Sequence, residues 1–196
     1  STLFPYTTLF RSSKTLICSS ISRAVDTITG MLSKSEDRVT LAFDEKNVEL
    51  TIGDVMLHSS LIAGDYIDYK KIIPTGSTTT IRFCVEEMKK AVDRVRVFSN
   101  GKQLMKMRIT DEGTTISSND EFGAATEALE CDMQGENLNI AFNSAYFKTA
   151  VSSIAEENAV MKMAGEARPA TIVSAEGKKY MHMVLPVRVV AGEFDA

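Results

Sequence analysis

The sequence predicts an α+β fold in which amphipathic helices pack together on one face of antiparallel sheets. Three observations carry this expectation. A strand–helix–three-strand order recurs along the chain, successive helices start a nearly constant distance apart, and strand segments alternate apolar with polar residues.

In the first unit, residues 15–18 form a short apolar strand leading into a helix over 22–32, with strands at 38–43, 48–52 and 55–62. The second unit runs from a strand at 80–84 into a helix over 85–98, then strands at 103–110, 114–118 and 124–133. The third opens at 138–142, continues into a helix over 144–154, and closes with strands at 159–163, 170–174 and 180–190. Helix starts at 22, 85 and 144 are separated by 63 and 59 residues. Met105, Met107 and Ile109 alternate with Lys106, Arg108 and Thr110, the period of a half-buried strand. Asp111-Glu112-Gly113 and Glu45-Lys46-Asn47 supply hairpin turns, and Asn143 suits the N-cap of the third helix.

Each later helix carries an apolar stripe. Val85, Met88, Ala91, Val92, Val95 and Phe98 share one face; Lys89, Lys90, Arg94 and Arg96 lie off it among Glu86, Glu87 and Asp93. Phe147, Ala150, Val151 and Ile154 form the next stripe, with Ser144, Lys148, Thr149 and Ser152 facing away. Two readings of the outward residues stay open: a plain solvated face, or a cationic and small-polar surface that passes a phosphate backbone without reading bases.

Residues 1–12, STLFPYTTLFRS, fit neither a strand nor a helix period. Residues 2–12 are identical to one reading-frame translation of a short-read sequencing adapter. The segment is therefore expected to be non-native, with the natural chain beginning further upstream.

With 44% hydrophobic and 24% charged residues, the composition is that of a globular protein, and no apolar run is long enough to span a membrane. The net charge of −4 excludes a uniformly basic surface, so any nucleic-acid contact must be local. Cys18, Cys84 and Cys131 are widely spaced and form no CxxC pair; they read as small buried residues in a reducing cytoplasm, with no metal site. Catalytic signatures are missing. His58 and His182 are the two histidines, without HxxxH or HxE spacing, and no GxGxxG, GxxxxGK[ST] or GxSxG occurs. Asp65 and Asp68 lie in a loop with no basic or metal partner expected. A catalytic constellation needs a base or nucleophile with an orienting partner, and none is found.

Two segments resemble the bacterial DNA sliding clamp family, the beta subunit of DNA polymerase III. Residues 53–74, GDVMLHSSLIAGDYIDYKKIIP, are similar to a family stretch running from a glycine-led strand into an aromatic-Pro-Asp-Tyr-basic-basic loop that ends at an apolar-Pro pair. Tyr66, Asp68, Tyr69, Lys70, Lys71, Ile73 and Pro74 match; Ile67 stands where the family usually has proline. Residues 183–189, MVLPVRV, resemble the family's closing apolar-Pro-apolar-Arg-apolar signature, and residues 190–196 run past the usual end. Residues 89–100 and 142–154 resemble its third-domain helices.

That resemblance implies the DNA clamp fold: three domains per chain, each of two helix-plus-strand units, with two chains closing head to tail into a homodimeric ring. Residues 13–76 would be the C-terminal half of domain 2 and residues 77–196 domain 3. It further implies duplex DNA as a sequence-independent partner, lined by Arg23, Lys89, Lys90 and Lys148. A cleft for the short clamp-binding peptides of the polymerase, the clamp loader and repair proteins would use Ile67, Lys71, Ile72, Pro169, Ala170, Met183, Val184, Leu185, Pro186, Val187 and Arg188. Val97 and Phe98 would meet the partner subunit. No cofactor is implied. Two other classes remain beside this one: a peptide-binding adaptor of clamp-like fold without a DNA role, and an unrecognised hydrolase, which the missing catalytic groups disfavour.

Overall fold

The computed structural model describes residues 30, 38–44, 46–60, 68–99, 103–177, 180–189 and 194. The strand expected at 15–18, most of the helix expected over 22–32, the segment 1–12, Arg23 and Ile67 lie outside the described residues. The chain divides into two compact units, residues 1–67 and 68–196. The boundary expected after residue 76 falls inside the second of these.

The first unit contains an antiparallel meander of β1 (Val39–Phe43), β2 (Asn47–Ile52) and β3 (Val55–Ser60). The register places Leu41 opposite Leu50 and Leu50 opposite Leu57, so the period-two pattern gathers the apolar residues on one face. The Asp44 carboxylate holds the β1–β2 turn, accepting from the Lys46 and Asn47 amides at 2.7 and 2.6 Å. Gly53 turns β2 into β3 at φ 56°, a left-handed conformation that glycine adopts without Cβ strain.

The second unit starts with a short helix, α1 (Tyr69–Ile72). Next come β4 (Thr79–Cys84), α2 (Val85–Val95), β5 (Leu104–Thr110), β6 (Gly113–Asp120), β7 (Gly123–Leu129) and β8 (Cys131–Gly135). The chain then repeats the order with β9 (Leu138–Asn143), α3 (Ser144–Ser152), β10 (Asn158–Met163), β11 (Ala170–Ser174) and β12 (Met181–Val184). Two antiparallel sheets result, ordered β12-β11-β10-β4-β8 and β7-β6-β5-β9. Each repeat lends its opening strand to the other: β4 pairs with β10, and β9 pairs with β5. The two repeats are thus interlocked and share one core.

That core explains the alternation. Met105, Met107 and Ile109 of β5, Ile81 and Phe83 of β4, and Met161 and Met163 of β10 meet the stripe of α2 and Phe147 and Val151 of α3. Flexible thioether side chains fill the irregular space between helices and sheets. Asn143 caps α3 as expected, its side-chain oxygen accepting from the Ala145 and Tyr146 amides at 3.0 and 3.2 Å.

Two long strands expected from sequence are corrected. Residues 124–133 break at the exposed Glu130 into β7 and β8, which belong to different sheets. Residues 180–190 break after Val184: Pro186 bridges to Phe142 of β9, and the Val187 amide donates to Ala141 O at 2.7 Å. Both seams between the sheets are crossed by chain that leaves one sheet edge for the other. Periodicity cannot register such a change of partner, because side chains keep alternating through it. The helix expected over 85–98 is α-helical to Val95 and tightens into a 3-10 turn, Arg96–Phe98.

Candidate functional site

Three surfaces carry the candidate residues of the second unit. The first is the face of α2 and α3, which pack against each other. Their apolar stripes turn into the core, so the charged residues of α2 stand outward. Lys89 pairs with Glu86 at 3.0 Å and Lys90 with Glu87 at 3.1 Å, each one turn apart. The Asp93 carboxylate bridges the helices, meeting the Lys148 ammonium of α3 and, at 3.9 Å, the Arg96 guanidinium. Arg94 grips Glu127 of β7 with two bonds of 2.7 and 2.9 Å. This fork holds the Glu127 carboxyl below its ordinary range and raises Arg94. Lys89, Lys90 and Lys148 therefore stand on one helical layer, each engaged by a carboxylate. The two helices and the 3-10 turn carry five cations against three carboxylates, a modest positive excess.

The second surface is the end of β12. Ala170 pairs with Val184 and Thr171 with Met183, bringing the two predicted segments together. Ala170 and Val184 are core residues, so their side chains point away from solvent. Leu185 is 63% exposed, Val187 and Arg188 are also exposed, and Met183, Pro169 and Pro186 are half-buried. Lys71 and Ile72 stand together on α1, exposed. Asp68 does have a basic partner, contrary to expectation: Lys71 Nζ lies 3.2 Å from its carboxylate in a surface pair one helical turn long. At the opposite end of β12, just before Met181, sequence reasoning missed a polar cluster. The buried Glu156 carboxylate accepts from Tyr180 Oη at 2.7 Å and Ser174 Oγ at 3.2 Å, which anchors the entry to β12. Burial raises the Tyr180 hydroxyl, and Glu156 adds to the effect; burial lowers His182. No short motif links these three positions, so only the fold brings them together.

The third surface is the 3-10 turn. Val97 is 71% exposed and Phe98 is half-buried. The Phe98 ring lies over Gly123, where a Cβ would approach Phe98 Cε1 to 2.9 Å. Next to that glycine, Phe122 is 76% exposed. It was not singled out from sequence, although an aromatic residue in a tight turn is the signal that could have found it.

The comparisons agree with this architecture. The pattern of the family described as DNA polymerase III beta subunit, C-terminal domain, matches residues 70–188. The beta sliding clamp of Vibrio cholerae is 25% identical over 161 residues, 81% of this chain and 44% of that protein. The crystal structure of the DNA polymerase sliding clamp from Bacillus subtilis aligns at 29% identity and TM-score 0.69, covering 81% of this chain and 44% of that one. The chain spans less than half the length of these relatives. A crystal structure of the DNA polymerase III subunit beta from Pseudomonas aeruginosa, at 20% identity and TM-score 0.77, shows the same fold over 90% of this chain. With its interlocked strand–helix repeats and a pattern match covering most of its length, the chain belongs to the DNA polymerase III beta subunit family, through that family's C-terminal domain.

Proposed function

We propose that this chain is part of a sliding clamp that encircles duplex DNA in the cytoplasm and tethers the replicative polymerase and other clamp-binding proteins, without catalysing a reaction itself. The observation that carries this reading is the layer of α2 and α3, set on the family's two-sheet unit with Lys89, Lys90 and Lys148 outward. Cations already paired with carboxylates bind phosphates weakly and exchangeably, which suits sliding better than a fixed site would. Arg23 belongs to the same proposed lining. Residues 13–76 are assigned to the back of domain 2 and residues 77–196 to domain 3. Val97 and Phe98, joined by Phe122, form the apolar patch assigned to a partner subunit in a head-to-tail dimer.

The partner-peptide cleft is assigned to the end of β12. Leu185 and Val187 offer exposed apolar contact beside Met183 and Pro186, with Arg188 as a charged group; Pro169, Ile72 and Lys71 are assigned to the same cleft through the family resemblance. Ala170 and Val184 act from beneath by fixing the strand. The adaptor alternative has no observation in its favour. Linearising a DNA circle should release the full-length gene product if it encircles DNA; equal retention on both forms would rule encirclement out. For the cleft, Leu185→Asp in that protein should weaken a labelled clamp-binding peptide, and unchanged binding would move the site elsewhere.

A further inference from the structure

The four-stranded sheet has an outer side, turned away from the core and the helices. On it β5 presents Lys106 and Arg108, alternating with the inward Met105, Met107 and Ile109. Their cross-strand neighbours are short: Lys106 lies between Ser117 and Ala141, and Arg108 between Thr115 and Asn139. Such neighbours cannot cover a lysine, whose four-carbon stem carries the ammonium well past them. Lys106 is nevertheless only 4% exposed. The chain beyond β12 has moved onto this sheet through the Pro186 bridge and the Val187 amide. Phe194 then lines a groove of about 340 Å³ with Lys106, Arg108, Ser117 and Thr126. The Arg108 guanidinium donates through Nη2 to the Phe194 carbonyl at 3.1 Å. In sequence Phe194 stands between Glu193 and Asp195. An aromatic residue flanked by two acids is thus seated beside two cations.

We propose that this strip is a docking site for a short acidic segment bearing an aromatic residue, and that residues 190–196 of this chain are its occupant. Arg108 recognises a main-chain carbonyl, which any peptide supplies. Lys106 adds the preference for acidic sequence. The site lies on the sheet side and does not depend on the DNA or cleft readings.

The test is acylation of Lys106, read by mass spectrometry in the intact chain, in a variant ending at Val189, and in that variant with a synthetic peptide of residues 188–196 added. Labelling should be slow in the intact chain, several-fold faster after truncation, and slow again with the peptide. A peptide carrying Glu193→Gln and Asp195→Asn should fail to restore protection. Lys162, exposed on β10, should label equally throughout and so reports that the fold is kept. Binding of the fluorescent peptide to the truncated chain should weaken with salt, and by about tenfold or more in Arg108→Ala, as expected for loss of a charged hydrogen bond. Equal Lys106 labelling with and without residues 190–196 overturns the proposal, as does labelling that the peptide does not reverse. Should truncation disturb Lys162, Glu193→Gln/Asp195→Asn in the intact chain decides the matter: Lys106 labelling must rise.

Discussion

The Asp93 carboxylate of α2 faces the Lys148 ammonium of α3 across the helix–helix contact and also draws in Arg96. One acid therefore holds down two cations of the layer proposed to face DNA. In the full-length protein, Asp93→Asn should raise DNA affinity at low salt and steepen the dependence of log K on log salt by about one. Because the pairs are partly exposed, the stability cost should stay below about 1 kcal/mol. An unchanged salt slope would remove this face from the DNA-binding surface.

Two glycines should respond unequally to alanine. At Gly135, φ is +104° and a Cβ would fall 1.9 Å from the Thr78 carbonyl oxygen, a backbone atom that cannot step aside. At Gly123 the obstacle is the Phe98 ring, which can rotate. Urea unfolding should show Gly135→Ala costing about 3 kcal/mol or more and Gly123→Ala about 1 kcal/mol. Equal costs would mean the Phe98 ring is held as firmly as the backbone.

Ser144, expected from sequence to face away from the core, instead opens α3 fully buried, and among the described residues its Oγ has no hydrogen-bond partner. Burying a hydroxyl without a partner costs about 1–3 kcal/mol, and alanine is the better helix former. Ser144→Ala should therefore raise the unfolding midpoint in urea. A lower midpoint would reveal a partner for that hydroxyl.

Acid should weaken the protein at two identifiable carboxylates. Glu127 is held below its ordinary range chiefly by the hydrogen bond from Arg94, and Asp44 chiefly by the Lys46 amide. Groups lowered in the folded state stabilise it above their unfolded pKa, and that contribution is lost as pH falls through the folded value. Glu127→Gln and Asp44→Asn should each flatten the acid limb of stability against pH. A limb as steep as in the parent would place the coupling elsewhere.

Alkali acts through Cys131. Burial pushes its thiol up to about 11, from 9.0 in an unfolded chain. The proton is held more tightly when folded, so this contribution is intact below pH 9 and is lost as pH rises toward 11. At pH 8 the Cys131 thiol should resist alkylation in the folded protein, and Cys131→Ala should lose less stability between pH 9 and 11. Cys84 and Cys131, expected to be buried, are both half-buried, and rapid labelling of Cys131 at pH 8 would contradict its raised pKa.

Much of this fold was legible because its parts are local. The alternation of Met105, Met107 and Ile109 set β5, the stripe from Val85 to Val95 set α2, and the Asn143 cap set the start of α3. What escaped depends on partners distant in sequence. The transfers between sheets at Glu130 and Leu185 leave the alternation undisturbed, so each stretch read as one continuous strand. Arg94–Glu127, Lys148–Asp93 and the Glu156–Tyr180–Ser174 cluster join positions that no short motif connects. The same limit applies to the site. Residues 183–188 are proposed as one segment of the cleft, but only strand pairing separates the buried Val184 from the exposed Leu185.

Encirclement is the central claim, and topology tests it more directly than affinity does. The full-length protein would be loaded onto a nicked DNA circle, and the retained fraction measured before linearisation, after linearisation, and after linearisation with both ends blocked by bulky protein. A clamp should stay on the circle, slide off free ends, and stay on blocked ends. Equal retention on all three forms, or loss from blocked ends as fast as from free ones, would contradict the account.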